Sequence, residues 1–163
     1  YQGSDGLERS PPLLVHPYTD RGLKGHEQVL SAIGTCAGAW DMRPVTGLPH
    51  AECLRQMDEA TAVVDHFQGY FGVVAMEATA MLKPVILRLS ELTINAMARY
   101  GWSVPGNWIV LETPGQLPDR LRAMAAGGAG FFQSCRVAAW EWWRENGRNA
   151  TKAQRFMEWL TRN

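Results

Sequence analysis

Lysine is scarce in this chain: of sixteen basic residues only three are Lys, and thirteen are Arg, whose planar fork suits phosphate or carboxylate. Net charge is missing altogether. Sixteen acidic residues balance the basic ones, so no overall field exists to gather nucleic acid or an anionic membrane surface, and binding has to come from a local site. Long apolar runs are absent too. No stretch approaches the roughly 18 uninterrupted apolar residues needed to cross a bilayer, and the start lacks a basic-then-apolar signal pattern, so no transmembrane segment is expected. The three cysteines, Cys36, Cys53 and Cys135, are too few and too widely spaced for a closed disulfide framework. A cytoplasmic location fits best, with peripheral membrane contact left open. Also lacking are an Asp-x-Asp pair and a Gly-x-Gly-x-x-Gly turn after the first strand. The four histidines, at 16, 26, 50 and 66, are scattered, and only His50 with Cys53 has helical ligand spacing. These gaps argue against a metal enzyme and against a dinucleotide-dependent oxidoreductase, and neither a metal nor a bound cofactor is expected.

What is present is enough for one domain. At 163 residues and 46% hydrophobic content the chain can bury a real core, yet it is too short for two full α/β domains. The expected division is a leader or linker over 1–11, a βαβ core over 12–126 and C-terminal helices over 128–163. An opening at Tyr1 rather than Met is expected of a fragment, a processed chain or an incomplete reading frame.

Along that core, short apolar runs alternate with helical periodicity. Residues 13–16 read as a buried strand between prolines, and 18–25 as its polar exit loop. Val29, Leu30 and Ile33 share one face of a helix that starts at His26, until Gly34 and Gly38 interrupt it. A weak strand over 39–45 and a turn at 46–49 lead to a helix with Leu54 and Met57 inward. A third strand over 61–67, a helix over 73–81, a fourth strand over 84–89, a helix over 92–100 and a fifth strand over 108–111 follow. Leu117, Leu121 and Met124 mark a further helix, broken at Gly127-Gly128. The pattern predicts an α/β, Rossmann-like fold: a parallel sheet of about five or six strands, helices on both faces and a helical C-terminal tail. In that tail Phe132, Cys135, Ala139, Trp142 and Trp143 have helical spacing, as do Ala153, Phe156, Met157 and Leu160, with Asn146-Gly147 as a hinge. Their aromatics read as core packing or as a surface for a partner.

In an open parallel sheet, ligands bind beyond the carboxyl ends of the strands, where helix N-termini offer free N–H groups. Two loops at that edge carry suitable chemistry. The loop at 18–25 places Arg21 and Lys24 just before a helix, where they can neutralise a diphosphate or serve as solvated loop charges. The loop at 65–72 has Gly69 and Gly72, which let backbone approach a ligand, and the following helix carries Glu77 about one and a half turns in. Asp65 caps this turn or takes part in the site, and Glu77 reaches back to a ribose or faces solvent.

Residues 69–86, GYFGVVAMEATAMLKPVI, resemble the signature of the large retaining GT-B glycosyltransferase family, in which a Gly-Phe-Gly-like turn leads to Glu-Ala-Met-Ala, a Gly and Lys-Pro-Val-Ile. Asp65 fits the end of the preceding strand, and Arg21-Gly22-Leu23-Lys24-Gly25 resembles the family's phosphate loop. The likeness runs from about Leu13 to the tail. It implies the donor lobe of a two-lobed enzyme. Arg21 and Lys24 would then act as catalytic cations on the diphosphate, Gly69, Gly72, Val73 and Val74 would line the donor site, and Glu77 would bind the ribose hydroxyls. The substrate would be a nucleotide diphosphate sugar, and an N-terminal acceptor lobe or partner chain would be required for transfer. Two positions depart from the family pattern. The first Glu of its Glu-x7-Glu motif falls on Gly69, and the Gly expected before Lys-Pro-Val-Ile is Leu82, which a left-handed helix end would strain by about 1 kcal/mol. The competing expectation is a non-catalytic nucleotide-binding or protein-interaction module derived from the same fold.

Overall fold

The computed structural model describes residues 9–36 and 38–146. The pattern of Ala153, Phe156, Met157 and Leu160, and Gly147 of the expected hinge, lie outside the described residues. Five strands form one sheet: β1 (Leu13–Pro17), β2 (Asp41–Val45), β3 (Ala62–Val64), β4 (Val85–Arg88) and β5 (Trp108–Leu111). Between them run α1 (His26–Thr35), α2 (His50–Asp58), α3 (Val73–Ala80) and α4 (Glu91–Arg99), and a 3-10 turn at Pro114–Gln116 leads into α5 (Leu117–Asn146). Every pairing is parallel, in the order β2-β1-β3-β4-β5.

Both faces of the sheet are covered, which is why its central strands read as apolar runs rather than alternating ones. Leu13, Val15, Val63, Val85 and Leu87 belong to a core with Met57 of α2, Ala75 and Ala78 of α3 and Met97 of α4. Leu14, Ala62, Val64 and Ile86 belong to the core on the other side, with Val29 and Ala32 of α1 and Leu117, Leu121 and Met124 of α5. Pro44 is tolerated in β2 because that strand lies at the sheet edge, where a missing N–H costs no ladder bond.

Some boundaries differ from the expected ones. α1 runs through Gly34, since an interior glycine weakens a helix without stopping it. β3 closes at Val64 rather than at 67, because the chain turns there into the loop that carries Asp65. The break expected at Gly127-Gly128 is present: Gly128 is non-helical (φ 52°, ψ −148°), a conformation open to glycine alone, and kinks α5 there. The segment after the kink touches both cores. Phe132 packs with the α1 side, whereas Trp142 joins the opposite core, stacks edge-on against Trp102 and donates to Ser103 O at 2.8 Å. Phe132, Cys135, Ala139 and Trp142 are buried, so these positions pack the core.

The order of strands positions the site. The connection from β1 goes to β2 on one side, and β3 then lies on the other side of β1, so the winding reverses between β1 and β3. A crevice opens beyond the carboxyl ends of those two strands. The loops that leave them are the β1–α1 and β3–α3 loops.

Candidate functional site: the switch-point crevice

The β1–α1 loop is wound tightly by its own backbone. Lys24 N–H donates to Asp20 O at 3.2 Å, Gly25 N–H to Gly22 O at 3.2 Å and His26 N–H to Arg21 O at 3.0 Å. The Asp20 carboxylate accepts Leu23 N–H at 2.9 Å. The loop ends at Gly25, which is left-handed (φ 65°) and pressed on the second loop, so that a Cβ there would lie 2.6 Å from Phe67 Cδ2. A side chain at position 25 would therefore separate the two loops. Gln68 Nε2 reinforces the contact by donating to Leu23 O at 3.3 Å.

Across this contact the Lys24 ammonium forms an ion pair with the fully buried Asp65 carboxylate. The other oxygen of Asp65 accepts Gly72 N–H at 2.6 Å. Gly72 is the residue before α3, and a Cβ on it would lie 3.3 Å from Asp65 Oδ1 and 3.6 Å from Lys24 Nζ. Lys24, Asp65 and the start of α3 thus share one small volume. Val73 and Val74 open the helix, where N–H groups lack helical acceptors and the dipole end is positive. Lys24, Val73 and Val74 line a pocket of about 270 Å³ together with Tyr18 from the first loop and Thr46 and Gly47 from the β2–α2 loop.

Glu77 stands on α3 with 20% of its side chain exposed, and its Oε1 accepts from His50 Nε2 at 2.6 Å. Beneath the crevice, His16 and His26 stack with ring centroids 5.6 Å apart, and Tyr18 leans on both. Burial lowers the pKa of His16 to about 4, and it lowers those of His26 and His66 as well. At neutral pH His16 is a neutral ring under the Lys24–Asp65 pair, with Nδ1 3.4 Å from Val64 O.

Of the expected site residues only Lys24, Val73 and Val74 line this pocket; Gly72 and Glu77 stand beside it on the same loop and helix, and Arg21 and Gly69 are turned to other partners. Arg21 pairs with Glu27 at 3.4 Å and lines a separate groove of about 580 Å³, with Gln28 of α1 and Pro114, Gly115 and Pro118 near α5. Gly69 anchors the second loop to α4, its carbonyl accepting Ser90 N–H at 2.6 Å and Thr93 Oγ1 at 2.7 Å. Its φ is 95°, and a Cβ would lie 3.2 Å from Ser90 Cβ, so this backbone disfavours a glutamate at position 69.

Sequence reasoning did not anticipate Thr46 and Gly47 as lining residues, nor His50 as the partner of Glu77. A signal for the first pair existed: β2 is parallel to β1, so its exit loop must emerge at the same edge.

No family model matches the chain, and no curated protein matches it in sequence. Among solved structures it is similar to WaaG, a glycosyltransferase involved in lipopolysaccharide biosynthesis, with a TM-score of 0.58 and 16% identity. The match covers 83% of this chain and 43% of the WaaG chain, so the chain spans less than half the length of that neighbour. The likeness is one of fold.

Proposed function

We propose that this chain is the donor-binding half of a GT-B glycosyltransferase, holding a nucleoside diphosphate sugar in the switch-point crevice. Transfer would take place only when an acceptor lobe faces it. The observation that carries this reading is the meeting of Lys24, from the first loop, with the Gly72–Val74 start of α3, from the second. Departure of a nucleoside diphosphate builds negative charge on phosphate oxygens, and a fixed ammonium and a helix N-terminus offset such charge without a metal. Glu77 supplies a carboxylate farther along α3 that can accept from ribose hydroxyls in place of His50. Arg21 can join the phosphates by leaving Glu27, because an exposed ion pair of this kind holds by at most about 1 kcal/mol. A pocket of about 270 Å³ is smaller than the 300–1,000 Å³ typical of complete small-ligand sites, which suits a diphosphate and ribose whose sugar extends toward a second wall. The reaction is read as metal-independent and cytoplasmic, with peripheral membrane contact allowed.

Calorimetric titration with a panel of nucleotides and nucleotide sugars tests the proposal. One class of nucleotide is expected to bind selectively. Lys24→Ala and Glu77→Ala are each expected to weaken it by roughly tenfold or more, the value of a hydrogen bond to a charged group. Absence of binding across the panel would favour a non-catalytic module derived from this fold, and so would indifference to both substitutions.

A further inference from the structure

The two cations expected to hold phosphate are both already paired with carboxylates of this chain, but the two pairs are of different kinds. Arg21 and Glu27 are exposed and loosely placed at 3.4 Å. Lys24 and Asp65 meet inside the crevice, with 17% of the lysine side chain exposed and none of the aspartate. Asp65 uses both of its oxygens: Oδ1 takes the Lys24 ammonium and Oδ2 takes Gly72 N–H at 2.6 Å. An ammonium and a helix-cap amide sharing one anion is the arrangement a phosphate would otherwise receive. Among the residues lining the 270 Å³ pocket, Lys24 alone carries a formal charge, and Asp65 cancels it.

We infer that Asp65 is an internal counter-anion that occupies the phosphate cradle and sets its affinity by competing with the ligand for Lys24 and the Gly72 amide. The inference rests on the donor-site reading for the location of the cradle. A merely structural Asp65 would be a staple holding the second loop to the first, and its loss would weaken anion binding. A competing Asp65 has the opposite sign. An asparagine keeps an oxygen for Gly72 N–H and removes the charge, so Lys24 is released to bind an added anion. The competition makes the site selective for ligands that hold themselves in the crevice by further contacts, such as a ribose on Glu77, over free phosphate or pyrophosphate.

The test is calorimetric titration of inorganic pyrophosphate, in low salt, into the full chain and into Asp65→Asn, Lys24→Ala and the double variant. Asp65→Asn is expected to bind pyrophosphate at least tenfold more tightly than the unmodified chain, and adding Lys24→Ala is expected to abolish the gain. Equal or weaker binding by a folded Asp65→Asn overturns the inference, as does absence of pyrophosphate binding in every variant. Should Asp65→Asn not fold, Asp65→Ser carries the same expectation with a smaller acceptor, and failure of both to fold would show the carboxylate to be a staple and overturn the inference. The donor-site reading fails separately. A gain in pyrophosphate affinity in Asp65→Asn, with no nucleotide or nucleotide sugar binding to any variant, would leave the counter-anion in place and remove the nucleotide.

Discussion

Leu82 is the single non-glycine residue with positive φ among the described residues, at 60°. It closes α3 in a Schellman arrangement: Lys83 N–H reaches Ala78 O at 2.9 Å and Leu82 N–H reaches Thr79 O at 3.0 Å. Glycine is the usual occupant, and a side chain there costs on the order of 1 kcal/mol. Leu82 is half-buried and belongs to neither core cluster, so little packing offsets that cost. Leu82→Gly is therefore expected to stabilise the chain by about 1 kcal/mol, raising Tm by roughly 2–4 °C in a scanning calorimeter. An unchanged or lowered Tm would mean that the leucine side chain makes a compensating contact. This position was legible in the sequence because a motif of fixed spacing placed a left-handed residue there. The Lys24–Asp65 pair was not, because 41 residues separate its members and the pairing of β1 with β3 brings them together. Nor could spacing tell that Arg21 would lean on Glu27, since a loop position says nothing of side-chain direction.

Elements were more legible than contacts. Runs such as Leu13-Leu14-Val15 and Val85-Ile86-Leu87 can only be strands covered on both sides, and the structure places alternate residues of each in opposite cores. Ends were less legible, because a helix passes Gly34 or a strand stops at Val64 according to what the tertiary structure needs. α5 shows how one residue governs an element's course. A Cβ built on Gly128 meets nothing within 4 Å, so a substitution there is strained by backbone alone and not by crowding. Gly128→Ala is expected to destabilise the chain by about 1–3 kcal/mol in urea denaturation. It should also perturb the fluorescence of Trp142, whose bond to Ser103 O depends on the direction that the kink gives the second half of α5. A native-like midpoint with unchanged fluorescence would show that the kink is set by something other than Gly128.

For the whole molecule, the parallel pairing of β1, β2 and β3 brings three exit loops to one edge of the sheet, the reversal of winding between β1 and β3 parts them, and residues of those loops and of the helix starts line the pocket. Rate enhancement in group transfer depends on holding donor and acceptor in a fixed mutual orientation, which can supply roughly 7–11 kcal/mol of the barrier. A one-sided pocket can hold a donor and offset leaving-group charge, but it cannot orient an acceptor or exclude water from the breaking bond. On the proposed reading, then, the chain by itself should bind a nucleotide sugar without turning it over. Release of nucleoside diphosphate, followed by a coupled assay, is expected to stay within about tenfold of the protein-free rate. Supplying an acceptor lobe, fused or in trans, is expected to raise transfer by roughly 10² or more, with Lys24→Ala removing most of the gain. Rapid transfer by this chain alone would show that the crevice already contains all that the chemistry needs, and the two-lobed reading would have to be abandoned.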